Sequence, residues 1–203
     1  MTRGWRPRPP ESARGDWLVA GLAAVGVAVA GYLTWTKVTG GSALFCTAVA
    51  GCQVVQASRY ATFLGIPTAA WGAALYATVG GLALAGLTAG RWLVAFLAIV
   101  AGMAFSGYLT YLELFVIGAV CWYCVVSAAV ALALLGALLG RRPRGPRTGP
   151  ARLVALGATV AVVVVVVGVS VHAVTAPGGP HADQEALARH LAQGGAVMYG
   201  AFW

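Results

Sequence analysis

Residues 119–139, AVCWYCVVSAAVALALLGALL, place a Cys-x-x-Cys motif near the start of an uncharged apolar stretch. About 20 helical residues cross a hydrocarbon core of about 30 Å, so this stretch predicts a transmembrane helix. Cys-x-x-Cys is the usual spacing of a dithiol that cycles between thiol and disulfide. The partial positive charge of a helix N-terminus also favours a thiolate. Cys121 and Cys124, one turn apart on the same side of the helix, are therefore candidate catalytic residues.

The composition of the whole chain agrees with a membrane protein. Of its 203 residues, 60% are apolar and 9% are charged, which excludes an ordinary soluble domain. A run of six valines near the C-terminus favours a strand in water, but a lone strand in lipid leaves its backbone groups unpaired, so we predict a helix. The predicted transmembrane helices are residues 17–36, 67–87, 92–112, 119–139 and 151–174. The predicted fold class is thus an all-α integral membrane protein, with a four-helix transmembrane bundle over 17–140 and a fifth transmembrane helix.

Aromatic residues near the ends of these spans indicate an interfacial belt, as expected in contact with membrane lipid. They are Trp17, Trp35, Trp71, Trp92, Tyr111 and Trp122.

Lysine and arginine are distributed unevenly between the two sides of the predicted bundle. Ten of the 13 fall on one side: Arg3, Arg6, Arg8, Arg14, Arg91, Arg141, Arg142, Arg144, Arg147 and Arg152. The other side has Lys37, Arg59 and Arg189. Basic residues concentrate on the cytoplasmic side, so the N-terminal tail 1–16 and the linker 141–150 are predicted to be cytoplasmic. The net charge of +8 therefore reflects topology. No nucleic-acid partner is expected, because no basic stretch is interleaved with stacking aromatic residues.

This orientation places all four cysteines at the outer face, an oxidising compartment where disulfides persist. Cys46 and Cys52 lie in the outer loop 37–66, close enough in sequence for a loop disulfide that carries reducing equivalents inward by thiol–disulfide exchange. Within this loop, Gln53–Phe63 is mildly amphipathic and predicts a short interfacial helix that caps the bundle. Two structural disulfides are the alternative interpretation. A structural zinc site is disfavoured, because no histidine lies near either pair, and no metal is expected.

Two further groups of polar residues have open interpretations. Glu113, at the outer end of the third span, is either a site group or a hydrated interfacial carboxylate. His172, His181 and His190 are predicted to be solvated. After the fifth span, the tail 175–203 predicts a helix over 181–193 and a strand over 196–203. One helix and one strand cannot bury a core, so the tail is expected to begin an outer domain or to need a partner.

Several of these motifs together resemble the bacterial branch of the vitamin K epoxide reductase family. They are Cys46 and Cys52 in the outer loop, Ser58, Leu64-Gly65-Ile66-Pro67 before the second span, and residues 111–119 (YLELFVIGA) leading into Cys121-x-x-Cys124. The resemblance covers about residues 17–140. Their order is specific, because in other bacterial four-helix thiol–quinone reductases the Cys-x-x-Cys comes first, whereas here it comes last.

The resemblance implies a bundle that holds a quinone, ubiquinone or menaquinone, beside the Cys-x-x-Cys in an inner (plasma) membrane. It implies that Cys124 faces the quinone and pairs with Cys121, and that Ser58 lies near the quinone. It also implies that Cys46 relays to Cys121, while Cys52 exchanges with a periplasmic thioredoxin-like partner. Electrons would run from the partner's thiols to the quinone, leaving a disulfide in the partner.

The tail adds to the resemblance, since Met198–Trp203 is similar to the strand before the Cys-x-x-Cys of a thioredoxin-like domain. The tail 175–203 would then be the start of such a domain, incomplete in this chain. Two other functions stay open: reduction of a vitamin K epoxide by the same cysteines, and a redox-inert membrane scaffold with structural disulfides.

Overall fold

The computed structural model describes residues 15–41, 43, 51–143, 149–174 and 190. Several predictions fall outside the described residues and stay predictions. They concern the N-terminal tail before residue 15, Cys46, the centre of the linker (144–148), and the tail 175–203 apart from His190.

Helices dominate the described part of the chain. In chain order these are α1 (Trp17–Thr39), α2 (Cys52–Ala57), a 3-10 turn (Arg59–Ala61), β1 (Thr62–Phe63), β2 (Ile66–Pro67), α3 (Thr68–Leu84), α4 (Ala89–Leu112) with a π-helical turn (Glu113–Ile117), α5 (Trp122–Gly140) and α6 (Pro150–Val174). Among the described residues, α1, α5, α6 and the combined segment Ala89–Ile117 are long and apolar enough to cross a membrane. The α3 helix has 17 residues and is about 25 Å long. The prediction of an all-α multi-pass membrane protein is confirmed.

The bundle consists of α1, α3, α4 and α5, and α6 packs along the outside of α4. Its core contains Val19, Val79, Ile99 and Leu134, which are fully buried. Small residues bring α1 and α3 together: a Cβ added to Gly80 would lie 3.3 Å from the Cβ of Ala23. Close approach of this kind is how helices associate in lipid, where the hydrophobic effect contributes little between helices.

The outer loop is less helical than the sequence predicted. The predicted helix over Gln53–Phe63 ends at Ala57, because Ser58 adopts an extended backbone with φ −66° and ψ 154°. A two-residue antiparallel pairing follows, with Phe63 opposite Ile66. Leu64 and Gly65 form its turn with φ of 54° and 78°, the positive values that a two-residue hairpin requires. The hairpin leads directly into α3.

At the end of the bundle opposite the outer loop, polar contacts join the start of α1 to the end of α5. Asp16 caps α1 by accepting the Val19 N–H at 3.2 Å and forms a salt bridge with Arg141 at the end of α5. Trp92 was predicted for the interfacial belt, but it is fully buried. Its indole N–H donates to the Leu138 carbonyl at 2.8 Å. The belt prediction is wrong for this residue, because a partner for the indole N–H is available inside the bundle.

Candidate active site

Cys52 and Cys121 meet between the capping helix α2 and the start of α5. Their Sγ atoms are 3.8 Å apart, and both side chains are buried. Gly51, which begins α2 at φ +68°, permits this approach: a Cβ there would lie 3.1 Å from both Ala119 and Val120. Only glycine adopts this backbone readily. Two cysteines that are 69 residues apart are thus held in van der Waals contact.

The cysteines are in different redox states. Cys52 is disulfide-bonded. Cys121 and Cys124 are free thiols. The resemblance implied that Cys46 relays to Cys121 and that Cys52 meets the outside partner. Cys52 is only 1% exposed and its sulfur lies 3.8 Å from that of Cys121, whereas Cys46 lies outside the described residues, so the implied order stays a prediction.

Cys121 is placed to act as a thiolate. It lies at the N-cap of α5 with an extended backbone, and its carbonyl accepts the Cys124 N–H at 3.0 Å. The pKa of Cys121 is lowered, chiefly because the Cys124 thiol hydrogen-bonds to its sulfur, although burial opposes the shift. A thiolate is the form that takes part in disulfide exchange.

Glu113 is the buried acid of this site. Its carboxyl group is only 4% exposed and accepts the Cys121 N–H at 3.1 Å. The π-helical turn ends where Gly118, at φ 70°, donates its N–H back to the Glu113 carbonyl. The interpretation of Glu113 as a hydrated interfacial carboxylate is therefore wrong, because the chain folds back and covers it with Cys121.

A cavity of about 610 Å³ lies inside the bundle beside Cys124. Its lining is mostly apolar, and its polar groups include Glu113, Ser127 and Tyr76. The size and the few polar groups are typical of a site for an apolar small molecule. Cys124 lines this cavity, whereas Cys121 faces Cys52. The two thiols of the Cys-x-x-Cys therefore point to different neighbours.

Ser58 does not line the large cavity. It lines an adjacent chamber of about 40 Å³ together with Glu113 and Cys124, and its hydroxyl donates to the Val55 carbonyl at 2.7 Å. The implied contact between Ser58 and a quinone stays a prediction.

The sequence did not reveal the contribution of α6. Val163, Val164 and Val167 form part of the large cavity's wall. In the last turn of α6, His172 is buried at 6% exposure, and the Tyr108 hydroxyl lies 3.1 Å from its Nδ1. The prediction of a solvated His172 is wrong. The sequence feature that could have indicated the packing of α6 against α4 is Gly168, where an added Cβ would lie 3.4 Å from the rings of Phe105 and Tyr108.

Comparison with known protein families gives one match. The model of the "Vitamin K epoxide reductase family" matches residues 17–139, which is more than half of the chain. The chain therefore belongs to this family of membrane oxidoreductases. The match covers α1 to α5 and ends before α6.

Proposed function

We propose that this member of the vitamin K epoxide reductase family oxidises the thiols of a thioredoxin-like partner outside the membrane and passes the electrons to a quinone, ubiquinone or menaquinone. The product in the partner is a disulfide. The observation that carries the proposal is the unbroken series of contacts from Cys52 through Cys121 and Cys124 to the cavity. A redox-inert scaffold is disfavoured, because Cys121 and Cys124 are free thiols in contact with a third, disulfide-bonded cysteine.

The contact between Cys52 and Cys121 supports a definite order of exchange. Starting from a Cys121–Cys124 disulfide, the Cys52 thiolate attacks the Cys121 sulfur, and the electron pair of the broken bond leaves on Cys124. Cys46 then attacks Cys52 and releases Cys121 as a thiolate. The resulting loop disulfide is opened by a partner thiol at Cys46. In this scheme Cys46, rather than the buried Cys52, meets the partner.

The cavity fits the other end of the electron path. A bound quinone accepts two electrons and two protons. The apolar lining suits its ring and isoprenoid chain, and Cys124 is the thiol that faces this space. The structure has Cys52 in a disulfide and Cys121 and Cys124 reduced, which corresponds to the state after loop oxidation and before transfer to the quinone.

The positions of the basic residues support the proposed orientation in an inner (plasma) membrane. Arg91, Arg141 and Arg152 lie near the start of α4, the end of α5 and the start of α6, so they share one end of the bundle. The described cysteines, Cys52, Cys121 and Cys124, share the opposite end with Lys37, whose ammonium donates to the Gln56 carbonyl of the capping helix. The arginine end is then cytoplasmic and the cysteine end is outside.

Paired cysteine variants test the order of the relay. In Cys46→Ser protein oxidised by a quinone, Cys52 attacks Cys121 but cannot be released, so a Cys52–Cys121 cross-link should accumulate. Proteolysis between these residues and a non-reducing gel would detect it. Cys52→Ser is the matched control and should show no cross-link to Cys121. A Cys46–Cys121 cross-link in Cys52→Ser protein, with none in Cys46→Ser protein, would restore the order implied by the resemblance.

Turnover tests the reaction itself. Wild-type protein with a reduced thioredoxin-like donor should reduce a quinone, and Cys124→Ala should abolish this activity. Supplying a vitamin K epoxide in place of the quinone distinguishes the alternative reaction, which uses the same cysteines.

A further inference from the structure

Transfer of two electrons from a dithiol to a quinone also moves two protons. The dithiol loses one proton from each thiol, and the reduced quinone gains one on each oxygen. Cys124 lies at a mostly apolar cavity, where bulk water is not at hand to carry its proton. In the part of the chain that the structure describes, the acidic residues are Asp16 and Glu113. Asp16 is at the opposite end of the bundle, paired with Arg141.

Glu113 lies beside both cysteines of the Cys-x-x-Cys. Its Oε2 accepts the Cys121 N–H at 3.1 Å. It also lines the large cavity beside Cys124. Burying an ionisable group at 4% exposure costs several kcal/mol of desolvation unless it is well paired. A neutral hydroxyl or amide could also accept this N–H without that desolvation cost.

The small chamber next to Glu113 offers a route for protons. It has a volume of about 40 Å³, and about 10–15 Å³ is enough to hold one water molecule. Its polar lining includes Gln56, Ser58 and Tyr60, in and just after the capping helix α2, and Thr68 at the start of α3. Glu113 and Cys124 line both the chamber and the large cavity. Glu113 therefore lies between a space suited to water and a space suited to a quinone.

We propose that Glu113 is a catalytic proton carrier, which takes the proton of the Cys124 thiol and delivers it to the bound quinone, with the 40 Å³ chamber as its proton route to the outer face. The inference rests on the proposed function. The carboxylate takes the proton and leaves Cys124 as a thiolate. As the S–S bond between Cys121 and Cys124 forms, the two sulfurs give up two electrons to the quinone. One proton reaches the quinone from Glu113, and the second enters through the chamber.

Glu113→Gln separates a proton carrier from a structural cap. The amide oxygen can still accept the Cys121 N–H, but the amide cannot take up or deliver a proton. We expect single-turnover oxidation of the Cys121–Cys124 dithiol by quinone to slow by about 10²- to 10⁴-fold, the usual contribution of general acid–base catalysis. The yield of the Cys52–Cys121 cross-link, formed in a Cys46→Ser background by a chemical thiol oxidant in place of the quinone, should stay unchanged, because it then reports only that the two sulfurs meet.

Each outcome of this experiment is informative. Oxidation of Glu113→Gln at the wild-type rate overturns the proposal, while wild-type protein that fails to reduce any quinone overturns the proposed function instead. If Glu113→Gln loses both the quinone step and the cross-link, Glu113→Asp decides. A proton carrier predicts that the shorter carboxylate restores part of the quinone step together with the cross-link. Loss of both in Glu113→Asp as well means that Glu113 only positions Cys121, and the proposal fails.

Discussion

Replacement of Gly26 by alanine should disrupt the packing of α1 against α3. A Cβ at Gly26 would lie 2.5 Å from Cγ, 2.6 Å from Cδ1 and 2.8 Å from Cδ2 of the Tyr76 ring. Carbon atoms in contact are normally about 3.5 to 4.0 Å apart, so the ring must move by about 1 Å. The ring is not free to do so, because its hydroxyl is 2.8 Å from the carbonyl and 2.9 Å from the hydroxyl of Ser127.

The magnitude follows from these contacts. Overpacking a tight site costs about 1 to 3 kcal/mol. A shift of about 1 Å stretches both Ser127 contacts beyond hydrogen-bond range, and each interhelical hydrogen bond in a membrane protein contributes about 0.6 kcal/mol. The expected loss in the free energy of unfolding is therefore about 2 to 4 kcal/mol. Alanine also gains about 0.5 to 1 kcal/mol of helix propensity over glycine, which a control must cancel.

Gly21→Ala is that control, because Gly21 lies in the same helix and an added Cβ there meets nothing within 4 Å. Both variants share the propensity gain, so the difference in unfolding free energy between them measures the clash. Unfolding in detergent micelles, followed by circular dichroism, gives this difference. Tyr76 also lines the large cavity, so Gly26→Ala should weaken quinone binding as well. Equal stability of the two variants would refute the packing argument, since it would mean that the ring moves without cost.

Three further predictions address other parts of the molecule. Trp92→Phe removes the 2.8 Å hydrogen bond to the α5 carbonyl and should lower the free energy of unfolding by about 1 kcal/mol, measured by the same unfolding assay. Cys124→Ala removes the hydrogen bond that lowers the pKa of Cys121, so formation of its thiolate, followed by ultraviolet absorbance, should shift to higher pH; Cys124→Ser keeps a donor and should shift it less. Val164→Phe intrudes into the large cavity and should raise the KM for quinone, whereas Val166→Phe, on the exposed side of α6, should leave it unchanged; equal KM values would exclude α6 from the binding site.

The sequence predicted the features of the fold that the bilayer imposes, which are the number, length and helical character of the spans. Hydrocarbon requires about 20 apolar residues per helix and full backbone pairing, and these requirements are visible in a single chain. The starts of α1 and α3 agree with the predicted spans within one residue. The Cys-x-x-Cys was equally visible, because its function depends on a local spacing. Its position at the beginning of α5 was predicted from its place at the start of the apolar stretch.

The remaining features depend on contacts between segments that are distant in sequence. The capping helix places Cys52 against Cys121 through a glycine with positive φ, and no local pattern distinguishes this arrangement from one with Cys46. The sequence left Glu113 open between a site group and a hydrated interfacial carboxylate, because the π-helical turn and the following loop that cover it are not visible in a local pattern. Trp92 was predicted for the belt because it lies near the start of a span. Its burial depends on a carbonyl that is distant in sequence and accepts the indole N–H, which a local pattern does not show.

The α6 helix lies outside the residues that match the family, yet it contributes to the cavity. The family match ends at residue 139, yet α6 packs along α4 and forms part of the cavity wall. An element outside the matched region therefore shapes the space that we propose for the quinone, whereas Cys52 and Cys121 meet between α2 and the start of α5. Substitutions on α6 should consequently alter quinone selectivity while the Cys52–Cys121 exchange continues. Substitutions around Gly51 should do the reverse, because that glycine governs the contact between the two sulfurs and not the cavity.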